Sequence, residues 1–353
     1  MKNIFRLIAS VFLTISAMNM SSAQTLYPSK EGWRTARPEE MGYSSAKLEE
    51  VRKAIIENTH ATGFCIVVGG KMIFEYGNLN ELSYIASCRK SILSMMYGKY
   101  VENGKIDLTK TMGELGIDDV QGLTDQEKEA TVLDLITCRS GIYHPASYAG
   151  DSKNKPARGT YKRGEYFLYN NWDFNVAGEV FEMMTGKNIY DAFGEDIAKQ
   201  IDMQDWNRKR QKKSGNKKAS RYLAYPFHFS TRDMARIGYL MLRNGKWEDK
   251  QVISEAWVKE STSTFSPYED VSKGKKSRFS YGYMWWIFDE KSPAYIPQYK
   301  GAYTASGMMG QRITVIPELD MVVAMKTNSR YGRRTKGAEY LKILDKIVTA
   351  QAE

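Results

Sequence analysis

The chain has 353 residues, of which 42% are hydrophobic, 26% charged and 12% aromatic. That balance supplies one large core or two lobes and excludes an intrinsically disordered chain. The net charge is +10, much of it in Arg208-Lys209-Arg210-Gln211-Lys212-Lys213-Ser214-Gly215-Asn216-Lys217-Lys218; no aromatics interleave there, so the stretch reads as a solvated insert and no nucleic-acid partner is expected.

The chain opens with Lys2 and Arg6, then the short apolar run Leu7-Ile8-Ala9-Ser10-Val11-Phe12-Leu13, then small residues at Ser21-Ser22-Ala23. The run is too short to span a bilayer, and the pattern predicts a signal peptide over 1–23 and a periplasmic or secreted protein. The mature chain, 24–353, would carry a charge of +8 after losing Lys2 and Arg6. No cysteine follows the expected cleavage site, which argues against lipid attachment. Cys65, Cys88 and Cys138 are an odd set without Cys-x-x-Cys spacing, so free, buried thiols are expected.

Ser44 and Ser45 can cap a helix that shows Leu48, Val51 and Ile55 on one face. A hairpin follows: Phe64-Cys65-Ile66-Val67-Val68, a turn at Gly69-Gly70, and Lys71-Met72-Ile73-Phe74-Glu75-Tyr76. Leu82-Ser83-Tyr84-Ile85-Ala86 is strand-like and leads into a helix with Ile92, Leu93 and Met96 at helical spacing. Further helices are expected over 132–136, 174–184 and 231–242, the last capped by Ser230 or Thr231. Strands return at 283–288, 311–316 and 321–325, with a turn at Pro317-Glu318-Leu319-Asp320, before a last helix carrying Leu341, Leu344 and Val348. Strands at both ends and helices between predict an α+β fold, with a central antiparallel sheet built from both termini and a mostly helical lobe inserted over roughly 105–245. A cleft between sheet and lobe is the natural ligand site.

His60, His144 and His228 are the only histidines, and no metal-binding spacing occurs among them. Gly-x-Ser-x-Gly is absent, and Gly150-Asp151-Ser152 sits in a polar loop. No cofactor or metal is implied. Ser87-Cys88-Arg89-Lys90 offers different chemistry, because Ser-x-x-Lys places a hydroxyl and an amine on one face of a helical turn. As a base the lysine must be neutral, and moving its pKa from about 10.4 to near 7 takes on the order of 4–5 kcal/mol. The same spacing recurs at Ser44/Lys47, Ser152/Lys155, Ser214/Lys217 and Ser272/Lys275, all in polar segments or a surface cap. Only Ser87 begins an apolar helix after a strand-like stretch.

Tyr169-Asn170-Asn171-Trp172-Asp173 precedes a second helix, and with it the chain resembles the serine β-lactamase and penicillin-binding-protein superfamily, most closely its class C-like esterases, peptidases and amidases. The resemblance rests on 85–93 around Ser-x-x-Lys, on 130–142, on Tyr169-Asn170-Asn171 as Tyr-x-Asn, and on 281–286 and 310–317 as C-terminal strands. It implies the β-lactamase/transpeptidase-like fold and a serine hydrolase forming an acyl-enzyme on Ser87. Lys90 and Tyr169 would share the proton, Tyr169 as a phenolate held by Lys90 or as a phenol. Asn171 would bind the acyl side chain. The third motif falls at Ala305-Ser306-Gly307, so the N–H groups of Met308 and Ser87 would form the oxyanion hole. Ala305 stands where the family often has Lys or His to hold a substrate carboxylate, which weakens the β-lactamase and D,D-peptidase reading; Arg312 or Arg139 could supply that charge.

An exported hydrolase of a small or peptide-like ester or amide is therefore the first reading. A cell-wall β-lactamase or D,D-peptidase, with association to the wall, is the second, and a catalytically silent binding protein of the same fold is the third. Trp172, Trp285, Trp286, Tyr143 and Tyr303 are candidates for core packing or an apolar cleft, and His144 for a loop near the site.

Overall fold

The computed structural model describes residues 25–148, 155–273 and 277–352. The expected signal peptide and Gly150-Asp151-Ser152 lie outside these residues.

The helices, in chain order, are α1 (Ser45–Asn58), α2 (Cys88–Glu102), α3 (Asp125–Lys128), α4 (Val132–Ile136), α5 (Asn171–Thr185), α6 (Ile189–Phe193), α7 (Thr231–Leu242), α8 (Glu255–Ser261), α9 (Tyr268–Val271) and α10 (Gly337–Val348). The strands are β1 (Arg34–Thr35), β2 (Gly63–Val68), β3 (Lys71–Gly77), β4 (Ser83–Tyr84), β5 (His228–Phe229), β6 (Lys246–Trp247), β7 (Lys250–Gln251), β8 (Ser280–Tyr281), β9 (Trp286–Ile287), β10 (Tyr303–Gly307), β11 (Gln311–Ile316) and β12 (Met321–Lys326). Eight of them form one sheet in the order β1-β3-β2-β12-β11-β10-β9-β8. Its pairings are antiparallel except for β1, which runs parallel to β3 at the edge. The β2–β12 pairing, Val67 opposite Val322, ties the N-terminal hairpin to the C-terminal strands. The sheet is thus built from both termini, as the sequence predicts, with one parallel pair added.

The central strands read as unbroken apolar runs because both faces are covered. Cys65, Val67, Ile313, Val315, Val322 and Ala324 face the larger core, shared with α2, α5 and α7. Phe64, Ile66, Val68, Met321, Val323 and Met325 face the second core, shared with α1 and α10. Helix α7 falls within the expected helical lobe by sequence, yet it lies on the sheet: a Cβ on Gly238 would stand 2.5 Å from Val322 and 2.9 Å from Ile313. Its cap is Ser230, which accepts from Asp233 N.

One expected strand is a strand only in part, over Trp286–Ile287. The run 283–288 is broken by Met284, which adopts φ 62°, and Gly282 N donates to Trp285 O across a tight turn joining β8 to β9. A left-handed non-glycine residue costs roughly 1–2 kcal/mol. Burial of the Met284 side chain and the hydrogen bond from Ser91 Oγ to Met284 O, 2.6 Å, offset that cost. The basic insert is partly tethered: Arg208 pairs with Asp191, and Lys213 with Glu182 and Glu179. All three cysteines are buried and none forms a disulfide.

Candidate active site

Ser87 stands at the mouth of α2, where the chain turns sharply out of β4. Ala86 takes φ 49°, a strained left-handed conformation, and Ser87 follows as the helix N-cap. Ile85 N donates to Phe227 O and Cys88 N to Ile85 O, which pins the turn from both sides. The first turn of α2 then carries Lys90 back over the serine, and its Nζ donates to Ser87 Oγ at 2.8 Å.

Lys90 is 2% exposed, and among the described residues no carboxylate pairs with it. Its Nζ lies 4.6 Å from the Tyr169 ring centre and 4.5 Å from that of Phe174. Ring faces favour the ammonium by about 0.5–2 kcal/mol, whereas burying an unpaired ion costs several. Desolvation therefore wins. Burial first, and then the neighbouring Arg89 cation, hold the Lys90 pKa well below its usual value. The position of the residue thus favours the neutral amine that a base requires.

Tyr169 is placed by a chain of hydrogen bonds. Leu168 N donates to Cys138 O, and Asn170 Nδ2 donates to Ile142 O and to Asp173 Oδ1. Ser140 Oγ donates to the same Asp173 carboxyl at 2.8 Å. Asn170 also caps α5, so the segment carrying Tyr169 is locked to residues 138–142 beneath it. The Tyr169 ring stacks on Trp286, centroids 5.3 Å apart, and meets Phe174 at 4.8 Å. Burial drives its phenol pKa up more strongly than a hydrogen bond with Ser87 draws it down. Of the two forms allowed by the sequence, the site favours the neutral phenol over the phenolate.

Strand β10 closes the other wall. Ala305 points into the core, Ser306 is half-exposed, and Gly307 abuts the serine turn. A Cβ on Gly307 would fall 2.6 Å from Ile85 O and 3.1 Å from Ser87 N, so only glycine lets the strand approach the helix start. Met308 follows, 74% exposed at the cleft, and Met309 (φ 69°) turns the chain into β11. Thr335 N bonds Met309 O and holds this turn.

These residues share a cleft of about 500 Å³ lined by Ser87, Tyr169, Trp286, 306–309, Arg312 and 334–337. Larger and smaller grooves lie elsewhere, near Arg232 and Arg52. Neither holds a hydroxyl bonded to a buried amine, so chemistry rather than size selects the Ser87 cleft. Ser87, Lys90, Tyr169, Ser306, Gly307 and Met308 converge there. Asn171, the first residue of α5, is half-buried and is not among the lining residues. His144 is buried beside Glu127, 3.7 Å away, and against Trp172, away from the cleft lining. Trp286 lines the cleft; Trp172, Trp285, Tyr143 and Tyr303 are buried.

A cation reaches the cleft lining from the next strand. Arg312 sits opposite Ser306, 9% exposed, and its Nη1 donates to Gly307 O and Gln311 O at 2.8 and 2.7 Å. No carboxylate pairs with it among the described residues, and burial lowers its pKa. Arg139 has no such freedom, being engaged by Asp270 at 2.5 Å and Ser266 at 2.8 Å. Exposed Arg334 and Lys336 add two further cations from the start of α10; Lys336 has only a loose partner in Glu339 at 3.8 Å. The lining contains three cations and no carboxylate. Sequence reasoning passed over Arg334 and Lys336, although the cluster Arg330, Arg333, Arg334, Lys336 between a strand and a helix was a visible signal.

A family model described as Beta-lactamase matches residues 52–346. A 6-aminohexanoate-dimer hydrolase of Paenarthrobacter ureafaciens is 22% identical over 296 residues, covering 76% of this chain and 72% of its own. Among solved structures, a Bacillus anthracis protein provisionally named a 6-aminohexanoate-dimer hydrolase superposes with a TM-score of 0.66 at 19% identity, over 92% of this chain and 88% of the other. A class C beta-lactamase gives 0.62 at 15% identity, over 86% and 95%. At these identities the two superpositions speak for the fold.

Proposed function

The chain belongs to the beta-lactamase family, as a serine hydrolase, and from that premise we propose that it cleaves an ester or amide through an acyl-enzyme on Ser87. The observation that carries the proposal is the 2.8 Å contact between Ser87 Oγ and a buried Lys90 amine that has no counter-ion among the described residues. In the first step neutral Lys90 takes the Ser87 proton as Oγ bonds to the substrate carbonyl carbon. The negative charge that develops on the carbonyl oxygen is met by the N–H groups of Ser87 and Met308, donors of a kind worth about 3–4 kcal/mol in the transition state. Collapse expels the leaving alcohol or amine, which takes a proton from Lys90 through the neutral Tyr169 phenol, Tyr169 being reprotonated by Lys90. Water then attacks the ester on Ser87 by the same proton route in reverse, and the acid leaves.

The three cations of the cleft favour a substrate that carries a carboxylate. A short linear amide of an amino acid meets that description, as does the compound for which the Paenarthrobacter relative is named. A β-lactam also carries a carboxylate. Arg312, opposite Ser306 in the cleft lining, would hold that carboxylate in place of the cation missing at Ala305, which keeps a β-lactamase or D,D-peptidase as the second reading. Export to the periplasm or medium, with contact to the cell wall, belongs to the same proposal and rests on the N-terminal pattern alone.

The test is mass spectrometry of the intact protein after exposure to a fluorophosphonate, p-nitrophenyl esters, linear amino-acid amides and a chromogenic cephalosporin. A mass increase on the Ser87 peptide, absent in Ser87→Ala, is expected. Equal labelling of folded wild type and Ser87→Ala would remove Ser87 from the mechanism. A folded wild type that reacts with no probe would favour the silent binding protein.

A further inference from the structure

Helix α2 sets two basic residues side by side in its first turn, Arg89 and Lys90, with 1% and 2% of their surface exposed. They reach consecutive residues of α5. Lys90 Nζ lies 4.5 Å from the ring centre of Phe174, and Arg89 Nη2 donates to Asn175 Oδ1 at 2.9 Å. Both groups thus enter one seam between α2 and α5, closed to solvent, where salt screens them little. Lys90 turns to Ser87, at 2.8 Å. Arg89 is not among the residues lining the cleft; its Cζ stands 4.3 Å over the centre of the Tyr225 ring, and its guanidinium hydrogen-bonds to the phenols of Tyr84 and Tyr225.

These partners of Arg89 are an amide, two phenols and a ring face. Burial raises the pKa of Tyr84, Tyr225 and the neighbouring Tyr190, which favours the uncharged phenol at each. The surroundings therefore hold the guanidinium without cancelling its charge. The acids of α5 are engaged elsewhere, Asp173 by Ser140 and Asn170, Glu179 and Glu182 by Lys213. A buried cation ordinarily takes a carboxylate partner, and Asn175 offers an amide of the same shape instead. Two cations this close repel each other, and the amino end of the helix disfavours both. A guanidinium keeps its proton in proteins, whereas a buried amine can release one, so the repulsion is relieved at Lys90.

We propose that Arg89 is a positioning residue for the active-site proton: its charge, held but not cancelled by Asn175, drives the proton from Lys90 and readies that amine as the base for Ser87. The role rests on the reading of Ser87 and Lys90 as nucleophile and base. The groups facing Lys90 are Ser87, Cys88 and Arg89 at the start of its own helix, Cys138 after α4, and Tyr169 and Phe174 around the start of α5. Among them Arg89 is the only other cation.

Asn175→Asp gives the test. It keeps the acceptor for Arg89, loses a 3.5 Å contact with Ser147 Oγ, and sets a counter-charge against the guanidinium. Lys90 should then keep its proton to higher pH. The acid limb of fluorophosphonate labelling at Ser87 is expected to move up by about 1–3 pH units, with the high-pH plateau within about threefold of wild type. Asn175→Ala removes the same bond and adds no charge, and should leave the limb in place. A limb unmoved in Asn175→Asp, or moved equally in Asn175→Ala, overturns the proposal. Arg89→Met, which deletes the cation, should move the limb in the same sense and replaces Asn175→Asp should that variant not fold. NMR of protein isotopically labelled at lysine Nζ, in a Ser87→Ala background, reads the Lys90 titration without acylation. A wild type that never labels, with a Lys90 signal still displaced by Asn175→Asp, would fail the nucleophile and keep the action of Arg89 on Lys90. A Lys90 titration identical with and without Asn175→Asp would fail Arg89 alone.

Discussion

Gly307→Ala is the sharpest perturbation this active site offers. The added methyl would lie 2.6 Å from Ile85 O, 2.9 Å from Gln311 Cβ and 3.1 Å from Ser87 N. The first and last are backbone atoms of the serine turn, and a comfortable contact to either needs roughly half an ångström or more of retreat. Strand β10 is held on its far side by β11 from Tyr303 to Gly307, so the yielding part is its end, the peptide that carries Met308 N. That peptide is one of the two proposed oxyanion donors. Losing one such donor costs about 3–4 kcal/mol, or 10²–10³-fold in kcat, while overpacking costs about 1–3 kcal/mol of stability. Single-turnover acylation by a p-nitrophenyl ester, alongside urea unfolding, separates the two. The expected result is a folded protein with KM within a few-fold of wild type and acylation slowed at least 100-fold. A folded variant that acylates within threefold of wild type would refute the placement of the oxyanion hole beside Gly307.

Other outcomes follow from the same geometry. Lys90→Met should slow acylation by about 10²–10⁴ while raising stability near pH 7, since it removes a buried amine; circular-dichroism melts would show the gain. For Lys90 the folded pKa lies below the unfolded one, so the stability it withholds returns only as pH rises toward the unfolded value, and acylation should rise through the depressed pKa as the amine loses its proton. Lys326, bonded to Phe229 O and Glu81 O, is pushed down to about 8 by burial. Its stabilising contribution is complete above the unfolded value and lost as pH falls through 8. Wild type should therefore gain on the order of 3 kcal/mol over Lys326→Met between pH 7.5 and 10.5; a constant difference in urea titrations would contradict the burial effect. Arg312→Gln should raise KM about 10–100-fold for amides carrying a carboxylate and leave neutral esters within twofold. Equal losses on both substrates would take Arg312 out of carboxylate recognition. Expressed in a secreting host, the protein should begin at Gln24 by N-terminal sequencing; retention of Met1 in the exported fraction would exclude cleavage after Ala23.

The linear pattern determined much of this molecule. Mostly unbroken apolar runs marked β2, β11 and β12 nearly to the residue, because strands covered on both faces are buried throughout. Caps at Ser44 and Ser230 set the starts of α1 and α7, since their hydroxyls answer nearby N–H groups whatever the rest of the chain does. Ser87 and Lys90 were readable because one helical turn makes them neighbours. What crosses the chain was not readable. The run 283–288 looks like a strand throughout, yet its start is a tight turn at Met284 whose carbonyl accepts from Ser91, 193 residues away, a contact no local pattern announces. Arg312 and Arg139 are equivalent in sequence; strand register sets one opposite Ser306, and an ion pair with Asp270 occupies the other. The bias of the Lys90–Tyr169 pair likewise comes from tertiary burial, which lowers the pKa of the amine and raises that of the phenol and so favours the neutral form of each, because proton affinity depends on the surroundings of a group and not on its place in the chain.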